Sequence, residues 1–240
     1  MQQLVIISGH SRGLGKALAE HYLAKGSQII GLARKNWLNP QAALQQFEID
    51  FSNEEALLTW LASGPFSSAI AQADEVILIN NAGLVEPNAL IGQQSSQAIV
   101  NAIKVNITAP LLLTNAVVAV SLVAQKPLRI VHISSGAARK AYSGWSVYGA
   151  TKAALDQHAE VIAAEKHPQV RIASIAPGVV NTDMQAQIRA SNHEQFPLRQ
   201  NFIGLYDDKQ LQTAADTAHK IAAMIAAENF GEKVKRDVRE

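Results

Sequence analysis

Ser135, Tyr148 and Lys152 have the side chains and the spacing to act together on one carbonyl group. The stretch from Gly144 to Lys152 reads as the start of a helix, so Tyr148 and Lys152, four residues apart, share one face. A free phenol titrates near ~10 and shuttles protons poorly at neutral pH, whereas a general acid or base works best with a pKa near the working pH. An ammonium about 5 Å away favours the phenolate by roughly 3 kcal/mol at an effective dielectric of ~20, about two pKa units. The pair therefore predicts a tyrosine whose pKa is lowered by its lysine. Ser135 follows an apolar run, Leu128 to Ser134, that reads as a buried strand. Its hydroxyl then belongs at the carboxyl end of a parallel sheet, where open α/β folds bind ligands. Taken singly, each residue has a plain structural reading as well: a ring beside a solvated charge, or a serine in a turn.

A second group of residues suits a phosphate. Ser8-Gly9-His10-Ser11-Arg12-Gly13-Leu14-Gly15 lies between the first expected strand and the first expected helix. Glycines let the backbone turn tightly and approach a ligand, and the free N–H groups of a helix start favour an anion. Gly9, Ser11, Arg12, Gly13, Leu14 and Gly15 are the expected cofactor contacts. The spacing is G-x-x-x-G-x-G and not the G-x-G-x-x-G of many dinucleotide sites, and a simple strand-to-helix connection would use the same glycines. The next strand ends Gly31-Leu32-Ala33-Arg34-Lys35, without an acid to accept from ribose hydroxyls. Arg34, with Arg12 in the glycine loop, suits a 2′-phosphate, so NADP(H) is the expected cofactor. Arg34 as an ordinary solvated surface residue is the alternative.

These groups need a scaffold. Short apolar runs alternate with longer helical segments, the pattern of βαβ units. The expected fold is α/β, a single Rossmann-like doubly wound parallel sheet with helices on both faces. It forms one domain over residues 1–240, with a cofactor half to about 127 and a catalytic and substrate half beyond. Strands are expected at Leu4 to Ser8, Gln28 to Ala33, Phe47 to Ile49, Glu75 to Asn80, Leu128 to Ser134 and Val170 to Ile175. Helices are expected at Gly13 to Lys25, Asn53 to Ala71, Ser95 to Ala124, Trp145 to His167 and Lys209 to Ala227. Asn181 to Asp208 shows only weak periodicity and fits a mobile lid. The tail offers a last strand through Lys233-Val234-Lys235.

Composition narrows the partners. With 21 Lys and Arg against 20 Asp and Glu, the net charge is +1. The charges are interspersed, with no basic stripe for nucleic acid. There is no cysteine, which excludes disulfides and cysteine nucleophiles. Met1-Gln2-Gln3 runs straight into an apolar strand without the basic region and cleavage site of a signal peptide, and no apolar run is read as membrane-spanning. The cytoplasm is the expected compartment and a small molecule the expected partner.

With the glycine loop, Asp50 after the third strand, Asn80-Asn81-Ala82-Gly83 after the fourth, Asn106 in the following helix, Ser135, Tyr148, Lys152 and Pro177-Gly178 after the sixth, the chain resembles the short-chain dehydrogenase/reductases along nearly its whole length. The resemblance implies that Tyr148 donates a proton to the substrate carbonyl and that Ser135 hydrogen-bonds its oxygen. Lys152 would lower the tyrosine pKa and hold the nicotinamide ribose, and Asn106 would support a water chain. Asp50 would meet the adenine, Asn81 would line the cofactor channel, and Val180 with Thr182 would contact the nicotinamide end. Asn106 bridging backbone groups and Asp50 capping a helix are the structural alternatives. His10 and His132 are assigned no catalytic role.

Tyr142 to Tyr148, Gln169 to Ile172 and Ala176 to Gln185 are similar to the sepiapterin reductase and benzil reductase branch, whose members reduce one carbonyl of a vicinal dicarbonyl. Trp145 and Met184 are the candidate substrate-pocket residues, with a plain core role as the alternative. Sepiapterin reductases use an acid in the last strand to anchor the pterin; here Lys235 aligns near that place and Asp237 lies two residues on, which favours a diketone over a pterin. The resemblance further implies a homodimer or homotetramer. Two other functions remain open at this point: reduction of a 3-oxoacyl thioester on an acidic carrier, for which Arg139-Lys140 would be the docking cations, and cofactor sensing without chemistry, since a fold alone does not fix function.

Overall fold

Apolar residues on both faces of the central strands produce a sheet that must be covered on both sides. The computed structural model describes residues 2–38 and 40–240. It contains seven strands, all parallel, in the order β3-β2-β1-β4-β5-β6-β7. They are β1 (Gln3–Ser8), β2 (Gln28–Ala33), β3 (Leu44–Glu48), β4 (Glu75–Asn80), β5 (Leu128–Ile133), β6 (Val170–Ala176) and β7 (Lys235–Asp237). The helices are α1 (Gly13–Ala24), α2 (Glu54–Ala62), α3 (Ser67–Gln72), α4 (Ser96–Ile103), α5 (Ala109–Val123), α6 (Ser146–Ala164), α7 (Asp183–Arg189), α8 (Arg199–Asp207) and α9 (Ala214–Ala226).

The strands sort their side chains by parity. Val5, Ile7, Ile77, Ile79 and Val131 pack with Leu18 of α1 and Ile221 of α9 on one face. Leu4, Ile6, Val76, Leu78 and Ile130 pack with Leu57 of α2, Ile70 of α3, Leu113 of α5 and Ala159 of α6 on the other. The order reverses direction between β1 and β4, and a doubly wound sheet opens a crevice at that point, outside the carboxyl ends of its strands.

Several boundaries differ from those expected. The third strand is Leu44–Glu48 and not Phe47 to Ile49, because its residues pair from Ile29↔Leu44 to Ala33↔Glu48. The helix expected over Asn53 to Ala71 is two helices; Gly64, at a φ of +65°, and Pro65 separate them. The last helix starts at Ala214 and not near Lys209, capped by the Thr213 hydroxyl, which accepts from Asp216 N–H at 3.0 Å. The segment expected to be a lid contains α7 and α8, with Phe196 fully buried between them. The tail strand lies two residues later than expected: Lys235 pairs with Ser174 and Asp237 with Ala176, at the carboxyl end of β6.

The long helix through Asn106 is continuous from Ser96 to Val123, but Lys104–Thr108 is wound as a π-helix. Pro110 explains the distortion, since it has no N–H to give to the carbonyl four residues back, that of Asn106. Contrary to the expectation from the sequence, this helix is long and apolar enough to cross a membrane by length and composition. Its most apolar window has a mean hydropathy of 1.7, and 44% of that window is buried within the fold.

Candidate active site

The glycine loop leaves β1 and enters α1. Gly9 and Gly13 adopt φ of +72° and +54°, which side chains rarely tolerate. A Cβ on Gly15 would fall 2.1 Å from the Gly9 carbonyl oxygen, so only glycine fits there. The Asn81 amide holds the loop, donating to Ser8 O at 3.0 Å and Gly9 O at 3.2 Å, while the Ser8 hydroxyl accepts from the N–H groups of Asn81 and Ala82. Helix α1 has no side-chain cap and no acid in its first turn, which leaves its N-terminal N–H groups and positive dipole end free for an anion. His10, within this loop, is fully buried and hydrogen-bonds Gln46 at 2.7 Å, a structural role.

Around that loop runs a cleft of about 700 Å³. It brings together Gly9, Ser11, Arg12, Gly13, Leu14, Gly15, Arg34, Asp50, Asn81, Ser135, Trp145, Tyr148, Lys152, Val180, Thr182 and Met184; of the expected site residues only Asn106 does not line it directly. Asp50 makes a turn of its own, accepting from Ser52 N–H at 2.9 Å and Ser52 Oγ at 2.8 Å. Against the upward push of partial burial, these bonds and the Arg34 charge hold its carboxyl below the usual range. The expectation that Arg12 and Arg34 share one corner needs adjustment: Arg12 pairs with Asp183 of α7 at 3.3 Å, both exposed, whereas Arg34 faces Asp50. Thr182 covers Gly13, with its Cγ2 3.2 Å from where a Cβ would stand, and Val180 bridges to Gln212.

At the other end of the cleft Ser135, Tyr148 and Lys152 converge. Ser135 starts a single 3₁₀ turn, and its Oγ accepts from Ala137 N–H at 3.1 Å, which leaves the O–H free to donate. Tyr148 and Lys152 are both buried on one face of α6. Lys152 reaches past the ring, Nζ lying 5.9 Å from its centroid, and donates to Ile133 O at 2.8 Å. Burial pushes the Tyr148 phenol above its ordinary value, and the Ser135 hydroxyl draws it part of the way back. That direction is opposite to the one expected from a neighbouring lysine, because desolvation of the buried phenol dominates. Lys152 is itself pulled down to about 8 by burial, against the upward pull of Asp156.

Asn106 sits on the π-helical segment. Its Oδ1 accepts from Leu84 N–H at 2.7 Å and its Nδ2 donates to Leu84 O at 2.8 Å and Thr151 Oγ1 at 3.0 Å. It bridges backbone to α6, as the structural alternative anticipated. A Cβ on Gly83 would lie 3.4 Å from Lys152 Nζ and 3.5 Å from Asn106 Oδ1, so this glycine leaves the space between them open.

The substrate side is aromatic. Trp145 centres a cluster with Tyr142, Tyr148, Phe196 and Phe202, ring centroids 5.1–5.6 Å away, and its indole N–H donates to Asn88 Oδ1 at 2.7 Å. Met184 packs on the same cluster. Phe196 and Phe202 were missed from sequence; their aromatic type in an otherwise amide-rich segment was the available signal. Asp237, whose register was open, lies at the cleft end of β7 but is bound by Arg239 at 2.6 and 2.7 Å, and Arg239 lines the cleft. Arg139, considered as a docking cation for an acidic carrier, is instead engaged with Asp156 at 2.8 Å.

An all-parallel doubly wound sheet with a phosphate-suited loop and a Ser, Tyr and Lys gathered in one cleft defines the class: a nucleotide-binding oxidoreductase. The family model described as short chain dehydrogenase matches residues 3–193, and the chain belongs to that family. It is 31% identical over 245 residues to a benzil reductase ((S)-benzoin forming) of Bacillus cereus, covering 97% of this chain and 98% of that one. It is 28% identical to the sepiapterin reductase of Meriones unguiculatus, with 94% and 92% covered. Among solved structures it is similar to a 4-hydroxyisoleucine dehydrogenase complexed with NADH, with 25% identity, a TM-score of 0.80, and 98% and 96% covered.

Proposed function

We propose that the protein is an NADPH-dependent carbonyl reductase that reduces one carbonyl of a vicinal dicarbonyl. The convergence of Ser135, Tyr148 and Lys152 in one cleft with the uncapped start of α1 carries this function. The cleft residues suit a dinucleotide: Gly9, Gly13 and Gly15 with the first turn of α1 would hold its pyrophosphate, Asp50 its adenine, Arg34 a 2′-phosphate, and Thr182 and Val180 its nicotinamide end. When bound, the nicotinamide supplies the hydride. Ser135, whose hydroxyl also faces the Tyr148 phenol, donates its O–H to the substrate carbonyl oxygen. Tyr148 is kept protonated by burial and delivers its proton to that oxygen as charge develops there. Lys152 stabilises the phenolate left behind and holds the ribose, and Asn106 fixes the backbone around the route by which the proton is replaced.

The absence of an acid at the end of β2, together with Arg34, supports NADPH, although the dehydrogenase with NADH is a relative by structure. The aromatic wall of Tyr142, Trp145 and Phe202 and the likeness to a benzil reductase support an aromatic diketone. Asp237, neutralised by Arg239, disfavours a pterin anchored by a free acid. The exposed Val100, Ile103 and Val161 on α4 and α6 support a homodimer through these helices. The test is oxidation of NADPH by the purified protein with benzil, in parallel with NADH and with a 3-oxoacyl thioester. Rapid benzil reduction that prefers NADPH is expected; no turnover with any vicinal diketone overturns the assignment.

A further inference from the structure

Asp156 lies one helical turn beyond Lys152 on α6 and is almost fully buried. Three elements converge on its carboxylate. Ser134, just past β5, donates to Oδ1 at 2.7 Å, and Ser174 of β6 donates to the same oxygen at 2.6 Å. Arg139, just past the 3₁₀ turn that begins at Ser135, donates through Nε to Oδ2 at 2.8 Å. The same guanidinium reaches Arg236 O of β7 at 3.0 Å and Ser174 O at 3.3 Å. Together with a second, longer bond from Arg139 Nη2 to Oδ1 at 3.4 Å, these fix the buried carboxylate in one rotamer. A buried ammonium is costly without a negative partner, and among the described residues the Ile133 carbonyl is the hydrogen-bond acceptor of Lys152.

The other groups around Lys152 do not supply that partner. Tyr148 on α6 is held neutral, and His132 on β5 is fully buried and hydrogen-bonded to Asn80 and His158. The π-helical segment contributes the neutral Asn106, while its Lys104 lies in a separate shallow groove with Glu54 and Glu55. Helix α4 carries no titratable residue, and Lys235 of β7 is paired with Glu160.

We propose that Asp156 is a positioning residue, a fixed carboxylate that keeps the buried Lys152 ammonium charged while Arg139, Ser134 and Ser174 hold it in place. Its consequence for turnover rests on the role given to Lys152 above, but the charge relationship itself does not.

Lysines labelled with ¹³C at Cε, titrated by NMR, read that relationship directly, and the resonance missing from Lys152→Met identifies Lys152. In Asp156→Asn its titration midpoint falls by about one pH unit relative to the wild type. In Arg139→Gln, which leaves the carboxylate without its cation, the midpoint rises. Opposite shifts are expected from charge and not from loosened packing. A midpoint unmoved in either variant overturns the proposal, and Arg139→Gln decides alone if Asp156→Asn does not fold. Benzil turnover measured on the same samples tests the carbonyl-reductase function separately, since its failure leaves the NMR midpoints interpretable.

Discussion

Lys152 Nζ donates to the carbonyl oxygen of Ile133, the last residue of β5, at 2.8 Å. This bond fixes the lysine beneath Tyr148 but satisfies only one of three donors on a buried ammonium. The lysine is therefore held at a cost in stability.

That cost has a pH signature. The folded-state pKa, about 8, lies below the ordinary 10.5, so the folded chain binds fewer protons between those values and stability rises with pH across that window. Below pH 8 the penalty is fully present. Lys152→Met should therefore raise Tm at pH 7, and its advantage over wild type should shrink as pH climbs toward 10.5. Thermal melts across this range check both; a variant less stable than wild type at pH 7 contradicts the burial cost.

Tyr148→Phe removes the O–H and little volume. Turnover with benzil should fall by on the order of 10²–10⁴, the usual contribution of a positioned acid, while NADPH affinity in a fluorescence titration stays near wild type. Diketone reduction at near-normal rate would exclude Tyr148 as proton donor.

Arg34→Ala should raise KM for NADPH about ten- to hundredfold, since a charged hydrogen bond contributes about 1.5–3 kcal/mol, and leave that for NADH nearly unchanged. Equal losses with both cofactors would instead assign Arg34 to the fold, through its charge on Asp50.

His132 governs an acid window. Burial, then the charges of His158 and Lys152, lower it from 6.5 to about 3, so it remains neutral in the folded state. The unfolded imidazole takes up a proton between those values that the folded one does not, and stability drops as pH falls from 6.5 toward 3. His132→Asn should melt lower at pH 7 yet lose less Tm between pH 6.5 and 4 than wild type does. An unchanged slope would place the acid sensitivity elsewhere.

Phe196→Ala tests the anchored segment between α7 and α8. Deleting a fully buried ring costs about 3–5 kcal/mol and loosens the wall against Trp145. Lower Tm together with a raised KM for benzil is expected, at unchanged NADPH affinity; a stability loss with normal benzil KM would separate Phe196 from the substrate pocket.

The amino-acid sequence by itself determined the parallel sheet, the glycine loop and the Ser135, Tyr148 and Lys152 set, because strand runs, helix spacing and positive-φ glycines are local properties. It also carried the resemblance to the family that residues 3–193 match. What depends on distant partners was not legible. No local pattern shows that Phe196 packs on Trp145 or that Arg12 turns to Asp183. Tertiary structure also decided the electrostatics of the triad. Spacing alone predicted a lysine lowering a tyrosine; the fold buries both, so desolvation raises the phenol and depresses the ammonium, and the carboxylate one turn further along α6 becomes the charge that opposes it.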